Sequence, residues 1–505
     1  MIPLATPSQC RQIDRDAEAM GIPGLVLMEN AGRGAFEILV ERFPDRLDRV
    51  LLLGGPGQNG GDAWVIARHL WLAGYTPRCL LVGERAKVGG DAEVQLRVLH
   101  ALGVDVAVQP EGTEESFGPW IDPASLVVDG LFGTGLGRPL KGVYAAVVAA
   151  ANASPVPVIA LDVPSGIDAD QGVELGSAIE ASLTVTFAAH KRGLFRGAGA
   201  RAAGTVVLAS IGAPATPEVS CHRVEPHDAR AWLGKRPVDA HKGSSGHLLV
   251  VAGAPGTSGA AELTCRGGLR AGAGRVTLAV RPEIHVASEA RAVEVMVRPH
   301  GNDLAKALAL GAKKGAAVVG PGLGTDEVGR SLCRGLALGL PIPTVLDADA
   351  LSAFEGAALS ELAGAAGARV LTPHPGEAGR MLGWDTSVVV ERPFAAVETI
   401  AKRTGAVVVL KGAGTIVSDG RRSLLVGEPV PALGVAGSGD VLAGILGGLL
   451  AERWPVSGLL QRVAAGVYLH NAAGRLTAIG DRGILAREIA DAVPRAVAEL
   501  LLLTR

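Results

Sequence analysis

A glycine-rich turn near the C-terminus carries the residues best suited to chemistry. It consists of Gly437, Ser438, Gly439 and Asp440 and stands directly before the apolar run 441–451, which predicts a buried helix. Glycines let the backbone turn tightly, and the start of a helix offers unpaired N–H donors that attract phosphate. A carboxylate beside phosphate is repelled unless it has a task, such as taking a proton from a hydroxyl group or holding a metal. The turn therefore predicts phosphate chemistry on a hydroxyl, in which Asp440 is the candidate base or metal ligand.

Two further residues in this half of the chain could contact a phosphorylated ligand. Lys411 follows the apolar run 406–410 and precedes a glycine turn, from where its side chain can reach a nucleotide phosphate. His374 lies between Pro373 and Pro375, and both prolines restrict the backbone, which favours a contact role over a mobile surface side chain. The chain has no GxxxxGK[ST] motif, so a P-loop enzyme is excluded.

In the first half of the chain, polar residues follow three apolar runs in succession. They are Asn59 and Asp62 after run 50–53, Asp129 after run 126–128, and Asp162 and Ser165 after run 156–161. The carboxyl ends of parallel strands line one crevice, so these side chains are expected to converge there. Oxygen ligands without His or Cys suit a hard cation such as K⁺ or Mg²⁺. The alternative, in which these acids only cap helices and turns, stays open.

Short runs rich in Val, Leu and Ile alternate with helical patterns along most of the chain. The runs predict strands at 50–53, 79–82, 126–128, 156–161, 248–251, 316–319, 344–346, 369–371 and 406–410. This alternation is typical of βαβ units and mostly parallel sheets, so the predicted fold class is α/β. The segment 211–218 is rich in Pro and small residues and has no apolar period, which predicts two domains, 1–215 and 225–505.

Composition excludes several classes of partner. The net charge is −2, aromatic residues make up 3%, and no basic run occurs, so binding to nucleic acid is not expected. The five cysteines include no CxxC pair, which favours a reducing compartment over a thiolate metal site. The N-terminus has no secretory pattern, and the apolar runs are too short to span a bilayer. We expect a cytoplasmic protein that acts away from the membrane.

Four segments in order, 27–32, 58–62, 129–137 and 162–166, resemble the NAD(P)H-hydrate epimerase domain over about residues 8–213. The resemblance implies a Rossmann-like three-layer domain that holds hydrated NAD(P)H beside K⁺, with Asn59, Asp129 and Ser165 as potassium ligands. It implies contacts with the hydrate from Gln58, Asn59, Gly60, Gly61, Asp62, Gly133, Thr134, Gly135, Leu136, Gly137, Arg138, Pro139, Tyr144 and Asp162. Asp62 and Asp162 are both candidates for the proton transfer in epimerisation.

The chain departs from the epimerase pattern at two positions. Gln58 stands where the family usually has Asn, and Ala63 stands where it usually has Gly. Lys191 also matches a family position, but the sequence assigns it no role, and a surface lysine is the default expectation.

The motifs of the second half resemble the ADP-dependent NAD(P)H-hydrate dehydratase domain, of the ribokinase-like fold, over about residues 225–503. The resemblance implies that ADP, with Mg²⁺, phosphorylates the hydroxyl of the S hydrate, and that phosphate then leaves to give NAD(P)H, AMP and phosphate. It implies hydrate contacts from Ala260, Gly324, His374 and Asp440, and nucleotide contacts from Lys411, Gly412, Ala413, Gly414, Thr415 and Gly439. Ala436 stands where the family usually has Gly.

Together the two resemblances predict a bifunctional enzyme, which equilibrates R and S hydrates in one domain and dehydrates S in the other. The family also suggests a homo-oligomer. Two alternatives stay open at this point. One is a ribokinase-like small-molecule kinase fused to a dinucleotide-binding domain, and the other is a dehydratase whose N-terminal domain binds without catalysis, as Gln58 and Ala63 would allow.

Overall fold

The computed structural model describes residues 1–112, 116–213, 218–452, 457–480 and 482–502. Contacts divide the chain into an N-terminal unit, Pro3–Cys221, and a C-terminal unit, His222–Arg505 together with Met1–Ile2. Residue 215, at which the first predicted domain ends, and residue 505, at which the second ends, lie outside the described residues.

The N-terminal unit is built on a parallel sheet. Its strands are β1 (Ile2–Ala5), β2 (Val50–Gly54), β3 (Arg78–Val82), β4 (Val106–Gln109), β5 (Leu126–Gly130), β6 (Val158–Leu161), β7 (Leu183–Phe187), β8 (His190–Lys191) and β9 (Thr205–Ala209). Seven of these nine strands, all except β1 and β8, form the sheet. Its order is β4-β3-β2-β5-β6-β7-β9, and every neighbouring pair in it runs parallel. The short strand β8 pairs in parallel with β1.

Helices cover both faces of this sheet. They are α1 (Pro7–Ala19), α2 (Gly24–Arg42), α3 (Gln58–Leu72), α4 (Gly90–Ala101), α5 (Gly118–Ile121), α6 (Val143–Ala153) and α7 (Gly197–Ala202). Side chains of a strand alternate between the two faces. Leu52 accordingly packs in a core with Trp64 of α3, while Leu51 packs in a second core with Val147 of α6. The result is a three-layer unit.

The C-terminal unit contains a larger, mostly parallel sheet. Its strands are β10 (Cys221–Val224), β11 (His247–Val251), β12 (Arg275–Val280), β13 (Val295–Pro299), β14 (Ala316–Val319), β15 (Thr344–Leu346), β16 (Arg369–Leu371), β17 (Val407–Leu410), β18 (Thr415–Ser418) and β19 (Ser423–Val426). The order is β13-β12-β11-β14-β15-β16-β17-β18-β19-β10. The strands from β13 to β17 are parallel, and β17, β18 and β19 form an antiparallel meander.

Helices pack around this sheet, and one of them is buried on nearly all sides. They are α8 (Pro226–Leu233), α9 (Ser258–Arg270), α10 (His285–Arg291), α11 (Leu304–Leu310), α12 (Glu327–Gly339), α13 (Asp349–Ser352), α14 (Pro375–Leu382), α15 (Thr386–Glu391), α16 (Pro393–Thr404), α17 (Ser438–Ala451), α18 (Leu459–Thr477) and α19 (Ala486–Leu502). Every residue of α17 from Val441 to its end is buried. Gly444 lets α17 pack closely on α9, because a Cβ there would lie 2.1 Å from the Thr264 carbonyl oxygen. Among the described residues, no helix combines the length and apolarity needed to cross a membrane.

The predicted strands are present, and the α/β fold class is confirmed. Strands β14, β15 and β16 have the predicted bounds, and the others differ from prediction by one or two residues at an end. The run predicted to begin at 156 forms a strand only from Val158, since Pro157 has no N–H to donate to the sheet.

Candidate functional site

Close packing shapes the glycine-rich turn between β2 and α3. A Cβ on Gly60 would lie 2.0 Å from the Gly55 carbonyl oxygen, and a Cβ on Gly61 would lie 2.5 Å from the Met28 Cε. Packing therefore requires glycine at position 60, where the clash is with backbone, whereas the flexible end of the Met28 side chain beside Gly61 can move. The structure places neither glycine in the wall of the neighbouring cavity. Ala63 has helical geometry and is fully buried, so its methyl group causes no strain.

A cavity of about 680 Å³ opens at the carboxyl ends of β2, β5 and β6. The predicted hydrate contacts that line it are Gln58, Asn59, Asp62, Gly133, Thr134, Gly135, Leu136 and Asp162. Gly137, Arg138, Pro139 and Tyr144 are not among its lining residues in the described part of the chain. Tyr144 instead packs edge-on against Phe132, with ring centroids 4.8 Å apart, and Phe132 lines the cavity.

Asp129 and Ser165 hold the ends of β5 and β6 together beneath this cavity. The Ser165 hydroxyl donates to Asp129 Oδ1 at 2.6 Å, and the Ser165 N–H donates to Oδ2 at 2.8 Å. The Leu131 N–H also donates to Oδ1, at 3.1 Å. Burial raises the pKa of Asp129 to about 6, although these hydrogen bonds oppose the shift. Neither residue is exposed.

Asn59 brings an unsatisfied oxygen to the same region. Its Nδ2 donates to the Leu161 carbonyl oxygen at 3.1 Å, whereas its buried Oδ1 has no partner within the described residues. A buried polar atom without a partner is costly, and a bound ion or water molecule is one way in which its bonding is completed in native proteins. Of the three predicted potassium ligands, Asn59 is the one that lines the cavity.

Asp162 is fixed by a buried lysine. The Lys191 ammonium, 2% exposed, donates to Asp162 Oδ1, to Thr186 Oγ1 at 3.0 Å and to the Phe187 carbonyl oxygen at 2.6 Å. The second Asp162 oxygen accepts from the Thr134 N–H at 3.0 Å. Asp162 also has a φ of 65°, an uncommon conformation for a residue with a side chain. The expectation that Lys191 is a surface lysine is wrong, because Lys191, at the end of the short strand β8, is buried and lines the cavity.

Asp62 differs from Asp162 in its surroundings. It lines the cavity, and it accepts no hydrogen bond from the described residues. Burial, and then the nearby negative charge of Asp162, raise its pKa well above the ordinary value. One crevice therefore holds a carboxylate anchored by an ammonium and a second carboxyl group that favours its protonated form.

In the C-terminal unit, the predicted glycine-rich turn begins helix α17. Gly437 is the N-cap residue with a φ of +87°, and no side chain caps the helix. The N–H of Val441 donates to the Gly437 carbonyl oxygen at 3.1 Å, so the N–H groups of Gly439 and Asp440 stand in the first turn, before the helical ladder begins. A helix start of this kind, with no side-chain cap, is suited to binding an anion. Ala436 is exposed and has no positive φ, so its methyl group fits without strain.

Lys411 stands opposite this helix start, among carboxylates. Its Nζ donates to Asp347 Oδ1 at 3.0 Å and lies 3.7 Å from Glu377 Oε2. Burial alone would lower the pKa of Lys411, but the charges of Asp347 and Glu377 outweigh burial and raise it. A Cβ on Gly439 would lie 3.5 Å from Lys411 Nζ, so the ammonium faces the first turn of α17.

Asp440 lies in the same cluster. Burial, and then the negative charge of Asp347, raise the pKa of Asp440 to about 6. A carboxylate with this pKa remains ionised at neutral pH and is a stronger base than an ordinary aspartate.

His374 begins helix α14 and is held in one tautomer. Its Nδ1 accepts from the N–H groups of Gly376 at 3.0 Å and Glu377 at 3.3 Å, so the ring hydrogen is assigned to Nε2. The Glu377 carboxylate accepts from the His374 N–H at 2.7 Å and completes a capping box. Half of the His374 side chain is exposed, which leaves Nε2 able to donate to a ligand.

A second cavity, of about 460 Å³, brings together part of the predicted set. It is lined by His374, Lys411, Gly412, Ala413, Gly414, Thr415 and Gly439, and also by Ser438 and His470. Asp440, Ala260 and Gly324 are not among its lining residues in the described part of the chain. Ala260 lies in the first turn of α9, and the Gly324 N–H donates to Asp349 Oδ2 at 2.8 Å.

Three residues of this site received no role from the sequence. The ion pair of Asp347 with Lys411 joins positions 64 residues apart, a distance at which the sequence gives no signal. Glu377 stands in the first turn of α14 and also faces Lys411. His470 lies in the apolar helix α18, where a lone histidine gives no signal for a role at a distant turn.

The fold and the two sites define an α/β protein with two units, one with a carboxylate-lined crevice and one with an uncapped helix start that Lys411 faces. A family model described as YjeF-related protein N-terminus matches residues 24–193, and one described as NAD(P)H-hydrate dehydratase matches residues 248–495. Bifunctional NAD(P)H-hydrate repair enzymes from Coxiella burnetii and Salinibacter ruber are 36% and 37% identical to this chain. They cover 95% and 98% of it, and 96% of each relative is covered. The chain therefore belongs to the family of bifunctional NAD(P)H-hydrate repair enzymes.

A solved structure is also similar to the C-terminal half. The ADP/ATP-dependent NAD(P)H-hydrate dehydratase of Bacillus subtilis, co-crystallised with ATP and Mg²⁺, is 26% identical with a TM-score of 0.47. The match covers 55% of this chain and 97% of that protein.

Proposed function

We propose that the C-terminal unit dehydrates the S form of NAD(P)H hydrate with ADP, through a phosphorylated intermediate. The observation that carries this proposal is Asp440, a base with a raised pKa in the first turn of an uncapped helix that Lys411 faces. Hydroxide is a poor leaving group and phosphate is a good one. A base and a phosphate site together therefore suit the removal of water by way of a phosphate ester.

The steps balance as follows. Asp440 takes the proton of the substrate hydroxyl, whose oxygen attacks the β-phosphorus of ADP and releases AMP. The ring C–O bond then breaks, phosphate leaves with the electron pair, and loss of a ring proton restores the nicotinamide double bond. The N–H groups at the start of α17 and the Lys411 ammonium stabilise charge on the transferring phosphoryl group. His374 Nε2 would donate to the hydrate, and the loop from Lys411 to Thr415, which lines the same cavity, would contact the nucleotide.

Mg²⁺ is expected to arrive with the nucleotide. Within the described ranges, no group of three or more His, Cys, Asp or Glu residues is arranged to hold a metal ion. Mg²⁺ commonly keeps several waters and binds through substrate phosphates with one or two carboxylates, so the absence of a protein cage is compatible with its use. Mg²⁺ supplies charge neutralisation on the phosphates.

We further propose that the N-terminal unit interconverts the R and S hydrates. The hydroxyl of the hydrate lies on a carbon beside the ring nitrogen, so its departure is assisted by the nitrogen lone pair. Asp62, whose pKa is raised by burial and then by the charge of Asp162, would donate a proton to the departing hydroxyl, and Asp162 would accept a proton when water adds to the other face. Proton exchange with solvent returns both groups to their starting forms.

K⁺ fits the oxygen atoms at the ends of β2, β5 and β6. Asn59 would hold it through the unpartnered Oδ1, together with oxygen atoms of Asp129 and Ser165, which are hydrogen-bonded to each other. The ion supplies positive charge beside the bound hydrate. If K⁺ binds there, it should raise the melting temperature of the wild-type chain relative to the same concentration of Na⁺ or Li⁺, and Asn59→Ala should remove this difference.

A product assay tests the dehydratase proposal directly. Purified protein is mixed with S-NADH hydrate, Mg²⁺ and either ADP or ATP, and NADH absorbance, AMP and phosphate are followed together. We expect one AMP and one phosphate per NADH formed with ADP. A stable phosphorylated product without NADH would instead favour the small-molecule kinase that the sequence left open.

We also propose a cytoplasmic enzyme that forms a homo-oligomer. The five cysteines are free and buried, which fits a reducing compartment. Sedimentation of the purified chain tests the assembly, and a monomer at micromolar concentration would contradict it.

A further inference from the structure

Ser438 and His470 form a buried polar pair at the helix start of α17. The His470 Nε2 lies 3.0 Å from the Ser438 carbonyl oxygen and 3.1 Å from Ser438 Oγ. Both residues are more than nine-tenths buried, and both line the cavity that contains Lys411 and Gly439. A buried pair of this kind needs an explanation, because apolar side chains would fill the same space at lower cost.

The hydrogen bonds fix the positions of the protons. A carbonyl oxygen can only accept, so His470 Nε2 carries the hydrogen and donates to the Ser438 carbonyl. Burial lowers the pKa of His470 to about 4, which keeps the ring neutral and Nδ1 without a hydrogen. Ser438 Oγ then accepts from the same N–H, and its own hydrogen has no acceptor among the described residues. That hydrogen is available to a ligand in the cavity.

The carbonyl contact also acts on the next N–H group. The peptide bond between Ser438 and Gly439 is planar and trans, so the Ser438 C=O and the Gly439 N–H point in opposite directions. Holding the carbonyl with His470 therefore holds the Gly439 N–H in the helix start that Lys411 faces. A hydrogen bond to the carbonyl also polarises the peptide and strengthens the N–H as a donor.

We propose that Ser438 is a phosphate-binding residue and that His470 is the positioning residue that orients it and the Gly439 N–H toward the transferring phosphoryl group of ADP. This inference rests on the proposed phosphorylation by ADP. It adds His470 to the adenine nucleotide site, and it assigns a phosphate contact to the side chain of Ser438, which the sequence placed in the predicted turn only through its backbone. It also predicts that the pair distinguishes ADP, which carries the β-phosphoryl group, from AMP, which does not.

The experiment measures ADP and AMP binding by calorimetry in the full-length chain, with Mg²⁺, for wild type, Ser438→Ala, His470→Leu and His470→Gln. Loss of a hydrogen bond to a charged phosphate should weaken ADP binding about ten-fold in Ser438→Ala, with AMP binding unchanged. His470→Leu should also weaken the binding of ADP while leaving the binding of AMP unchanged. His470→Gln should restore most of the binding, because a Gln side-chain NH₂ can reach the place of Nε2. Ser423→Ala is the matched control, since it removes another buried serine hydroxyl outside the cavity.

The outcomes separate this inference from the function on which it rests. If wild type does not bind ADP or form NADH with it, the proposed function fails. If wild type does both, but Ser438→Ala keeps the wild-type ratio of ADP to AMP affinity, the inference is wrong. Equal weakening of ADP and AMP in His470→Leu, without rescue by His470→Gln, would reduce His470 to a packing residue and overturn its part. The double variant Ser438→Ala/His470→Leu should lose less than the product of the single effects, because the two residues act as one unit.

Discussion

Asp440 is the residue on which dehydration depends most directly. Its pKa of about 6, raised by burial and then by Asp347, means that the carboxylate is ionised at pH 7 and protonated as the pH falls through 6. A protonated base cannot accept the hydroxyl proton, so the dehydration rate should fall below about pH 6 and reach a plateau above pH 7. The pH profile of NADH formation from the S hydrate measures this.

Replacement of Asp440 by Asn should lower the dehydration rate about 10²- to 10⁴-fold, because the amide cannot act as a base. Epimerisation in the same sample should continue at the wild-type rate, and this controls for the amount of folded protein. Wild-type dehydration by Asp440→Asn would remove Asp440 from the mechanism.

Lys191 should matter to the other activity. Its ammonium is the only cation that the described residues place in direct contact with Asp162, and both groups are buried. Removing one partner of a buried pair destabilises a protein by about 3–5 kcal/mol, because the remaining charge is left uncompensated. Lys191→Met should therefore lower both the stability of the N-terminal unit, measured by denaturant unfolding, and the rate of R-to-S conversion.

The control for Lys191→Met is Lys141→Met, which removes an exposed lysine from the same unit. Dehydration of pure S hydrate should persist in both variants, since the dehydratase residues belong to the other unit. Unchanged epimerisation in Lys191→Met would show that Asp162 does not need its counter-ion.

The residue types of the sites could be predicted from the sequence, but their partners could not. Asp162 and Asp440 were identified because each follows a recognisable strand end or glycine turn. The role of Lys191 could not be predicted, because its buried partner Asp162 is 29 positions away in the chain. The role of His470 could not be predicted either, because its partner Ser438 lies 32 positions away on another helix.

At the scale of elements, the helix start of α17 requires glycine at position 437 but not at position 436, where this chain has alanine. Gly437 has a positive φ, and a Cβ there would lie 2.4 Å from Leu263 Cδ1. Gly437→Ala should therefore destabilise the turn by at least the roughly 1–2 kcal/mol of a left-handed residue and weaken ADP-dependent dehydration. Ala436→Gly is the matched variant, and we expect a dehydration rate close to that of wild type. A large gain in the dehydration rate from Ala436→Gly would show that the alanine impairs the helix start of α17.

The elements themselves were the most predictable part of the molecule. Apolar runs of three to six residues set the strands, and this information is local, so β14 to β16 appear with their predicted bounds. The choice of side chains that line each cavity depends on how loops fold over the sheet edge. Gly60 and Gly61, for example, are not among the lining residues of the cavity in the described part of the chain, and their contact with the hydrate stays a prediction.

At the scale of the whole molecule, the two activities need each other. Water adds to the dihydronicotinamide ring of NAD(P)H without full stereocontrol, so a dehydratase that accepts only the S hydrate would leave the R hydrate unrepaired. A mixture of both epimers with ADP, Mg²⁺ and K⁺ should therefore regain all of its NADH absorbance with the wild-type chain. The combination of one crevice that interconverts epimers and one site that consumes S makes the recovery complete.

Asp162→Asn separates the two contributions in that assay. Asp162 holds the crevice through Lys191 and the Thr134 N–H, and we expect its replacement to slow epimerisation about 10²-fold or more. Recovery should then occur in two phases, a fast phase equal to the S fraction and a slow phase limited by uncatalysed epimerisation. Adding the Asp440→Asn variant, whose N-terminal unit is unchanged, should restore a single fast phase. Complete fast recovery by Asp162→Asn alone would exclude Asp162 from proton transfer and leave Asp62 as the remaining candidate of the two.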